Sequence, residues 1–284
     1  MVKKTFAIGF LIIFLLGGLG LWRVYRSYEN RKAEALARMQ AKVAEVTVTT
    51  IEGWSNVEVA EYLEKQGLFS KSEFLSALNK FDTSKFPLVH ARPANTSLEG
   101  YLFPDTYRFS KDVKPEEVIS KMLANFSSRL ETIGVSSTDI ASNQKFNGLS
   151  LYEVVTLASI VEKESGGKGA VSGTLSLQDE RNLVAGVFFN RLKIGQALES
   201  DATINYITGK NNPSPLFKDL EVNSAYNTYK NPGLPPGPIC NPSLGSIRAV
   251  LSPAKTDYMY FQHAQPSGKV DFSKTFQEHV SKKQ

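Results

Sequence analysis

From residue 46 the chain changes its hydrophobic rhythm several times, and each change marks an element. Residues 46–50 (VTVTT) alternate apolar and polar positions among β-branched residues, the period of a short strand with one covered face. Glu52 and Gly53 turn the chain, and Val57, Ala60, Tyr62 and Leu63 then recur at helical spacing until Gly67. A second helix starts after Ser70, whose capping-box partner is Glu73, and it aligns Phe74, Leu75 and Leu78 on one face. Strand, helix and helix make a small α+β module.

Residues 82–97 are rich in Pro, Thr, Ser and Asn and predict a linker, after which EGYLFPDTYRFS resumes ordered structure with a turn at Pro104 and Asp105. A second domain therefore begins near residue 94. Pro115, Glu116 and Glu117 open a helix reaching about Leu130, with Val118, Ile119, Met122, Leu123 and Phe126 inward.

The segment NGLSLYEVVTLASIVEKESGG predicts a helix over 151–165, capped by Ser150 with Glu153 and closed by Gly166 and Gly167. Leu151, Val154, Val155, Leu157, Ala158, Ile160 and Val161 cover more than half of its circumference, so it is a core helix. Glu162 and Glu164 fall on or beside that apolar arc, in the last turn, while Lys163 points away. Burial and the negative end of the helix dipole both disfavour a carboxylate there, so each acid is expected to hold its proton to higher pH. A carboxyl protonated near neutrality can donate to a leaving oxygen. The same residues serve equally well as structural ion pairs with Lys163, Arg181 or Arg191, and periodicity does not choose.

At the other end, residues 6–22 (FAIGFLIIFLLGGLGLW) are uncharged and follow Lys3 and Lys4, matching the shortest bilayer spans of about 17 residues. Leu21, Trp22 and Arg23 stand where a signal peptide would carry a small-x-small cleavage site, which predicts an uncleaved anchor. Arg23, Arg26, Arg31 and Lys32 nearly balance the charges before the span; the expected orientation is N-terminus inside, remainder outside. Residues 24–45 lack Pro and Gly and predict a helical stalk. The expected organisation is thus anchor at 1–23, stalk at 24–45, small module and linker at 46–93, and main domain at 94–284.

Composition narrows the chemistry. The 284 residues, 42% hydrophobic and 21% charged, suffice for one or two packed domains. Cys240 is the only cysteine, which excludes an intrachain disulfide and a cysteine metal cluster. A net charge of +5 without a basic run or interleaved aromatics argues against nucleic acid and suits anionic lipid or wall polymer. His90, His263 and His279 are scattered without metal-ligand spacing and are expected at the surface; no metal and no cofactor is expected. No GxSxG elbow surrounds Ser165, Ser172 or Ser243, and GGKGAVSG lacks the ending of a phosphate loop.

Five segments in order resemble the MltG/YceG-like family, the endolytic murein transglycosylases of bacterial cell walls. They are LEGYLFPDTYRF (98–109), LASIVEKES (157–165), ERNLVAGVFFNRLKIG (180–195), LESDATINYITG (198–209) and the Pro-rich run from Tyr226 to Phe261. The resemblance implies an α+β ectodomain on a single-span cytoplasmic-membrane anchor, with a LysM-like subdomain at 46–80 and a catalytic domain beyond it. It places the acid/base at Glu164 and leaves Glu162 a supporting role. The implied reaction protonates the glycosidic oxygen between MurNAc and GlcNAc, then deprotonates the MurNAc C6 hydroxyl, which closes on C1 to leave a 1,6-anhydro end without water. One carboxylate then suffices where ordinary glycosidases place two. The implied partners are peptidoglycan glycan strands, the membrane and the peptidoglycan synthases.

The chain departs from the family pattern in three places. The LysM-like region is a single compact unit; the stretch 166–178 (GGKGAVSGTLSLQ) is longer and reads as a mobile flap; and LESDAT stands where LQSDPT is usual. Glu199 thereby adds a charge beside Ser200, Asp201 and Thr203. Asp201 reads as a helix cap or, with Thr203, as cleft lining. Asn190 suits surface hydrogen bonding or a sugar contact. Tyr226, Asn227 and Tyr229 lie in a rigid Pro- and Gly-rich connection and can also stack on and hydrogen-bond a glycan. Two other functions fit the residues: a wall-binding scaffold that holds glycan uncut, and a hydrolase in which Asp201 or Glu199 activates water.

Overall fold

The computed structural model describes residues 21–34, 45–142, 144–165, 175–210, 212, 214–263 and 270–282. The expected span at 6–22 lies almost wholly outside these residues, as does most of the expected flap at 166–178. Residues 21–34 are helical with every position exposed, and the rest of the expected stalk falls outside. Among the described residues no helix is long and apolar enough to cross a membrane.

The small module has the predicted order. Strand β1 (Glu45–Thr49) pairs with β2 (Thr106–Ser110), and helices α1 (Asn56–Lys65) and α2 (Lys71–Lys80) lie between them in sequence. Ser55 and Glu58 close a full capping box on α1, with the Ser55 amide 2.7 Å from Glu58 Oε2. Ser70 caps α2 through the Glu73 amide. The stretch 82–97 is more ordered than a linker: Pro87 opens a short helix, α3 (Pro87–His90), and buries Leu88 and Val89. That apolar pair needs cover, and the surrounding polar residues concealed it.

Helix α4 (Pro115–Glu131) buries the predicted stripe, and its Phe126 ring stands 4.9 Å from Tyr101. After α5 (Ser137–Ala141) comes α6 (Leu151–Glu164), capped by Ser150 and Glu153 as expected and buried at ten positions from Leu151 to Glu162. It packs against α7 (Leu177–Lys193) and α10 (Leu244–Leu251). Between these in sequence lie α8 (Asp201–Thr208) and α9 (Phe217–Leu220). An antiparallel hairpin, β3 (Tyr260–His263) with β4 (Val270–Ser273), and α11 (Phe276–Ser281) end the described chain. His279, expected at the surface, is buried instead and stacks on Tyr260 at 5.5 Å. The fold is mixed α+β, and residues 47–284 form one compact unit.

Two polar ties hold the module's entry to the core. Asn241 Nδ2 donates to Trp54 O and Asn56 Oδ1, while its Oδ1 accepts from the Leu102 amide. Glu99, itself buried, accepts from the Asn56 amide at 2.9 Å. Beside it Gly100 has φ of +90°, and a Cβ there would stand 2.7 Å from Pro238 Cβ and 2.9 Å from Val155 Cγ1, so only glycine fits.

Burial raises the Glu99 carboxyl to about 8, the Asn56 amide opposing it. A raised carboxyl pKa contributes stability that is complete below the unfolded value and is lost as pH rises through the folded one. Urea midpoints should therefore fall between pH 5 and 9, roughly the window that Glu99 sets, and Glu99→Gln should flatten that fall. An unchanged pH dependence in Glu99→Gln would show that another group sets it.

Candidate active site

Helix α6 ends with two acids in its last turn, and the structure gives them opposite surroundings. Glu162 is buried and fully engaged: Arg181 Nη2 reaches Oε1 at 3.1 Å, while the Ser243 amide (2.9 Å), Ser243 Oγ and Ser246 Oγ (2.7 Å) converge on Oε2. Ser243 is the N-cap of α10, so Glu162 occupies the electropositive end of that helix as well as pairing a buried cation. This knot joins α6, α7 and α10.

Glu164, two residues on, is half-buried, and among the described residues no cation forms an ion pair with it. Ser200 Oγ donates to its Oε1 at 2.5 Å, and the Ala202 amide donates to the carboxyl as well. Those donors belong to the start of α8, where Ser200 is the N-cap. A serine at that position ordinarily caps its own helix, a gain of about 1 kcal/mol. Here its side chain makes no capping bond, and the Glu164 carboxyl takes the N-terminal position in its place. Burial raises the pKa of Glu164 from its ordinary carboxyl value; the Ser200 hydroxyl opposes this, the Asp201 charge reinforces it, and the His263 charge and Ala202 amide oppose it. The balance is upward, so the protonated acid persists to higher pH.

The segment that delivers Ser200 is braced on both sides. Thr228 accepts the Ser200 amide at its hydroxyl (3.1 Å) and the Glu199 amide at its carbonyl (3.1 Å), and its hydroxyl shares a 2.9 Å bond with Thr203. Thr203 Oγ1 in turn donates to the Ser200 carbonyl at 2.8 Å. Asp201 accepts from the Tyr229 hydroxyl at 2.5 Å. Glu199 has a left-handed backbone, φ +52°, and its carboxylate is 3.2 Å from Arg191 Nη1.

Of the candidate residues, Glu164, Ser200, Asp201, Thr203 and Tyr229 thus share one connected patch, with Glu199 at its edge. Asp201 is the first residue of α8, not its cap. The other candidates are engaged elsewhere. Asn190 donates to the Thr256 and Tyr258 carbonyls and lines a cavity of about 750 Å³ that contains none of the Glu164 partners. Asn227 is buried and donates to the Leu220 and Val222 carbonyls, shaping the turn before Tyr229. Tyr226 packs against Tyr206, ring centroids 5.1 Å apart. The sequence pattern gives no sign of Thr228, though it lies between two singled-out residues; His263, expected at the surface, is half-buried and its charge acts on Glu164. Among the described residues no cluster of His, Cys, Asp or Glu side chains forms a metal site.

The model of the YceG-like family matches residues 24–284. The chain belongs to that family. It is 36% identical over 248 residues to an endolytic murein transglycosylase of Bacillus subtilis (strain 168), covering 84% of this chain and 64% of that protein. A protein of the same name from Streptococcus pneumoniae serotype 2 (strain D39) is 33% identical over 254 residues, 82% of this chain and 43% of that one. The chain thus spans less than two thirds of the length of these curated relatives. The 2.6 Å crystal structure of a YceG-like protein from Listeria monocytogenes superposes with a TM-score of 0.68 at 31% identity, covering 83% of this chain and 75% of that one.

The two acids of this YceG-like chain should respond oppositely to amide replacement. Glu162→Gln leaves the buried Arg181 cation with only the exposed Glu52 carboxylate, 3.7 Å away, and is expected to cost about 3–5 kcal/mol in chemical denaturation. Glu164→Gln removes a carboxyl that resists ionisation, so its stability relative to the parent should rise with pH across the range in which Glu164 titrates. Equal losses in the two variants at pH 8 would contradict this division of roles.

Proposed function

We propose that this chain is an endolytic lytic transglycosylase that cuts the MurNAc–GlcNAc bond of peptidoglycan strands with Glu164 as its acid/base. The observation that carries the reading is the Glu164 carboxyl itself: its ionisation disfavoured by burial, placed at the end of a core helix, and held by the start of α8. Family membership and the names of the Bacillus and Streptococcus relatives support the substrate class.

In this mechanism the protonated Glu164 gives its proton to the glycosidic oxygen as the bond to MurNAc C1 breaks, with the C1 cation shared by the ring oxygen. The resulting carboxylate accepts bonds from Ser200 and Ala202, which favour the charged form at that moment. It then removes the proton of the MurNAc C6 hydroxyl, whose oxygen closes on C1, and Glu164 is regenerated as the acid. Asp201 favours the protonated resting form, while Tyr229 fixes Asp201 in place. Because Asp201 also puts a second carboxylate beside Glu164, a hydrolytic variant of the reaction has a structural basis; its products would carry reducing MurNAc ends.

The wider setting belongs to the same proposal. Residues 6–22 anchor the chain in the cytoplasmic membrane with the N-terminus inside, and residues 46–80 act as a LysM-like unit before the catalytic domain from 94 onward. The reaction then takes place outside the membrane, on nascent strands beside the peptidoglycan synthases.

Incubating the full chain in detergent with uncrosslinked glycan should release fragments ending in 1,6-anhydroMurNAc by mass spectrometry. Glu164→Gln should lower the rate by about 10²–10⁴-fold. Reducing ends alone would replace the lytic reading with hydrolysis, and undiminished cleavage by Glu164→Gln would remove Glu164 from the mechanism. The acid must be protonated to act, so kcat should fall as pH rises through the Glu164 titration. Asp201→Asn removes a charge that favours the protonated form, and that fall should move to lower pH; a move to higher pH would contradict the assigned role.

A further inference from the structure

Glu199 is a non-glycine residue in the left-handed region, immediately before the serine that holds the proton donor. Such a conformation is unfavourable for an L residue by about 1–2 kcal/mol and persists only when its surroundings impose it. The imposing groups can be named. Thr228 O takes the Glu199 amide on one side. On the other stands Arg191, a buried cation on α7 that the proposed mechanism does not use. Its Nε donates to Met259 O at 2.8 Å, and its Nη1 to Leu198 O at 2.7 Å and to Glu199 Oε2 at 3.2 Å. The Tyr260 ring lies 5.3 Å from the guanidinium carbon. One planar fork thus spans from the residue preceding β3 to the turn at 198–199, and the next residue along is Ser200.

We infer that Arg191 is a positioning residue for the proton donor: it holds Leu198 and Glu199 so that the turn delivers the Ser200 hydroxyl to Glu164. The inference rests on the reading of Glu164 as the catalytic acid. Lysine keeps the charge at 191 but has no planar fork to bond Met259 O and Leu198 O together. Glycine at 199 accepts the left-handed backbone without strain but lacks the carboxylate that Arg191 grips.

The test measures kcat, KM and thermal midpoint of the full chain in detergent for Arg191→Lys, Glu199→Gly, Ser200→Ala, the Arg191→Lys/Ser200→Ala pair and Glu164→Gln. Arg191→Lys and Glu199→Gly should each lower kcat by about 10–100-fold with KM within about twofold, since a misplacement near 1 Å carries losses of that order. Glu199→Gly should keep or raise the midpoint, a divergence of activity from stability that a purely structural role would not give. The double variant should be no slower than Ser200→Ala alone within about twofold, because Arg191 acts through that hydroxyl. Parent-like kcat in Glu199→Gly, or multiplied losses in the double variant, would overturn the inference. If Arg191→Lys does not fold, Glu199→Gly decides alone. Loss of activity in Glu164→Gln beside parent-like Arg191→Lys and Glu199→Gly would sink only this inference; an active Glu164→Gln would sink the reading beneath it.

Discussion

A core helix that ends in two acids has to settle both of them, and α6 does so by aiming each at the start of a short helix. Glu162 meets the N-cap of α10 and Glu164 meets that of α8. The N-termini supply unpaired amides and a positive potential, so each carboxyl finds donors where the apolar surroundings offer none. What separates the two is the charge beside them. Arg181 accompanies Glu162, while Asp201 accompanies Glu164. The first becomes a structural knot and the second an acid that resists losing its proton, although they sit two residues apart on one helix.

Two local departures fall together beside Glu164. The N-caps of α1, α2, α6, α7 and α10 accept a backbone amide at their serine side chains, whereas Ser200 gives its hydroxyl away. Glu199 beside it adopts a backbone that asparagine or glycine would adopt more easily. Both departures lie within two residues of the group that holds Glu164. Consistency across levels is the norm in folded chains, and its local failure marks a place where geometry serves something other than stability.

The elements were legible because their signals are local. The caps at Ser70 and Ser150 and the periodicity of α4 and α6 give boundaries close to those observed. The two acids were also legible, since the apolar arc of α6 leaves them little water. The assignment of Glu164 came from the resemblance, and the geometry lends it a physical reason in Ser200, Asp201 and Ala202. What the chain did not disclose depends on contacts between distant segments. Whether Arg181 pairs with Glu162 or Glu164 is decided by how α7 crosses α6, and the bracing of Ser200 by Thr228 joins residues 28 positions apart. The packing of Leu88 and Val89 was hidden by their polar neighbours, and the burial of His279 by the lack of any pattern around it.

The account turns on the protonation state of one carboxyl, which isotope-edited spectroscopy observes without reference to turnover. With ¹³C-labelled glutamate, the Glu164 side-chain resonance, assigned by its disappearance in Glu164→Gln, can be followed through a pH titration. The account predicts a midpoint clearly above that of an exposed glutamate and equal to the pH at which kcat declines. A Glu164 resonance that titrates in the ordinary carboxylate range, with catalysis undiminished at neutral pH, would contradict it.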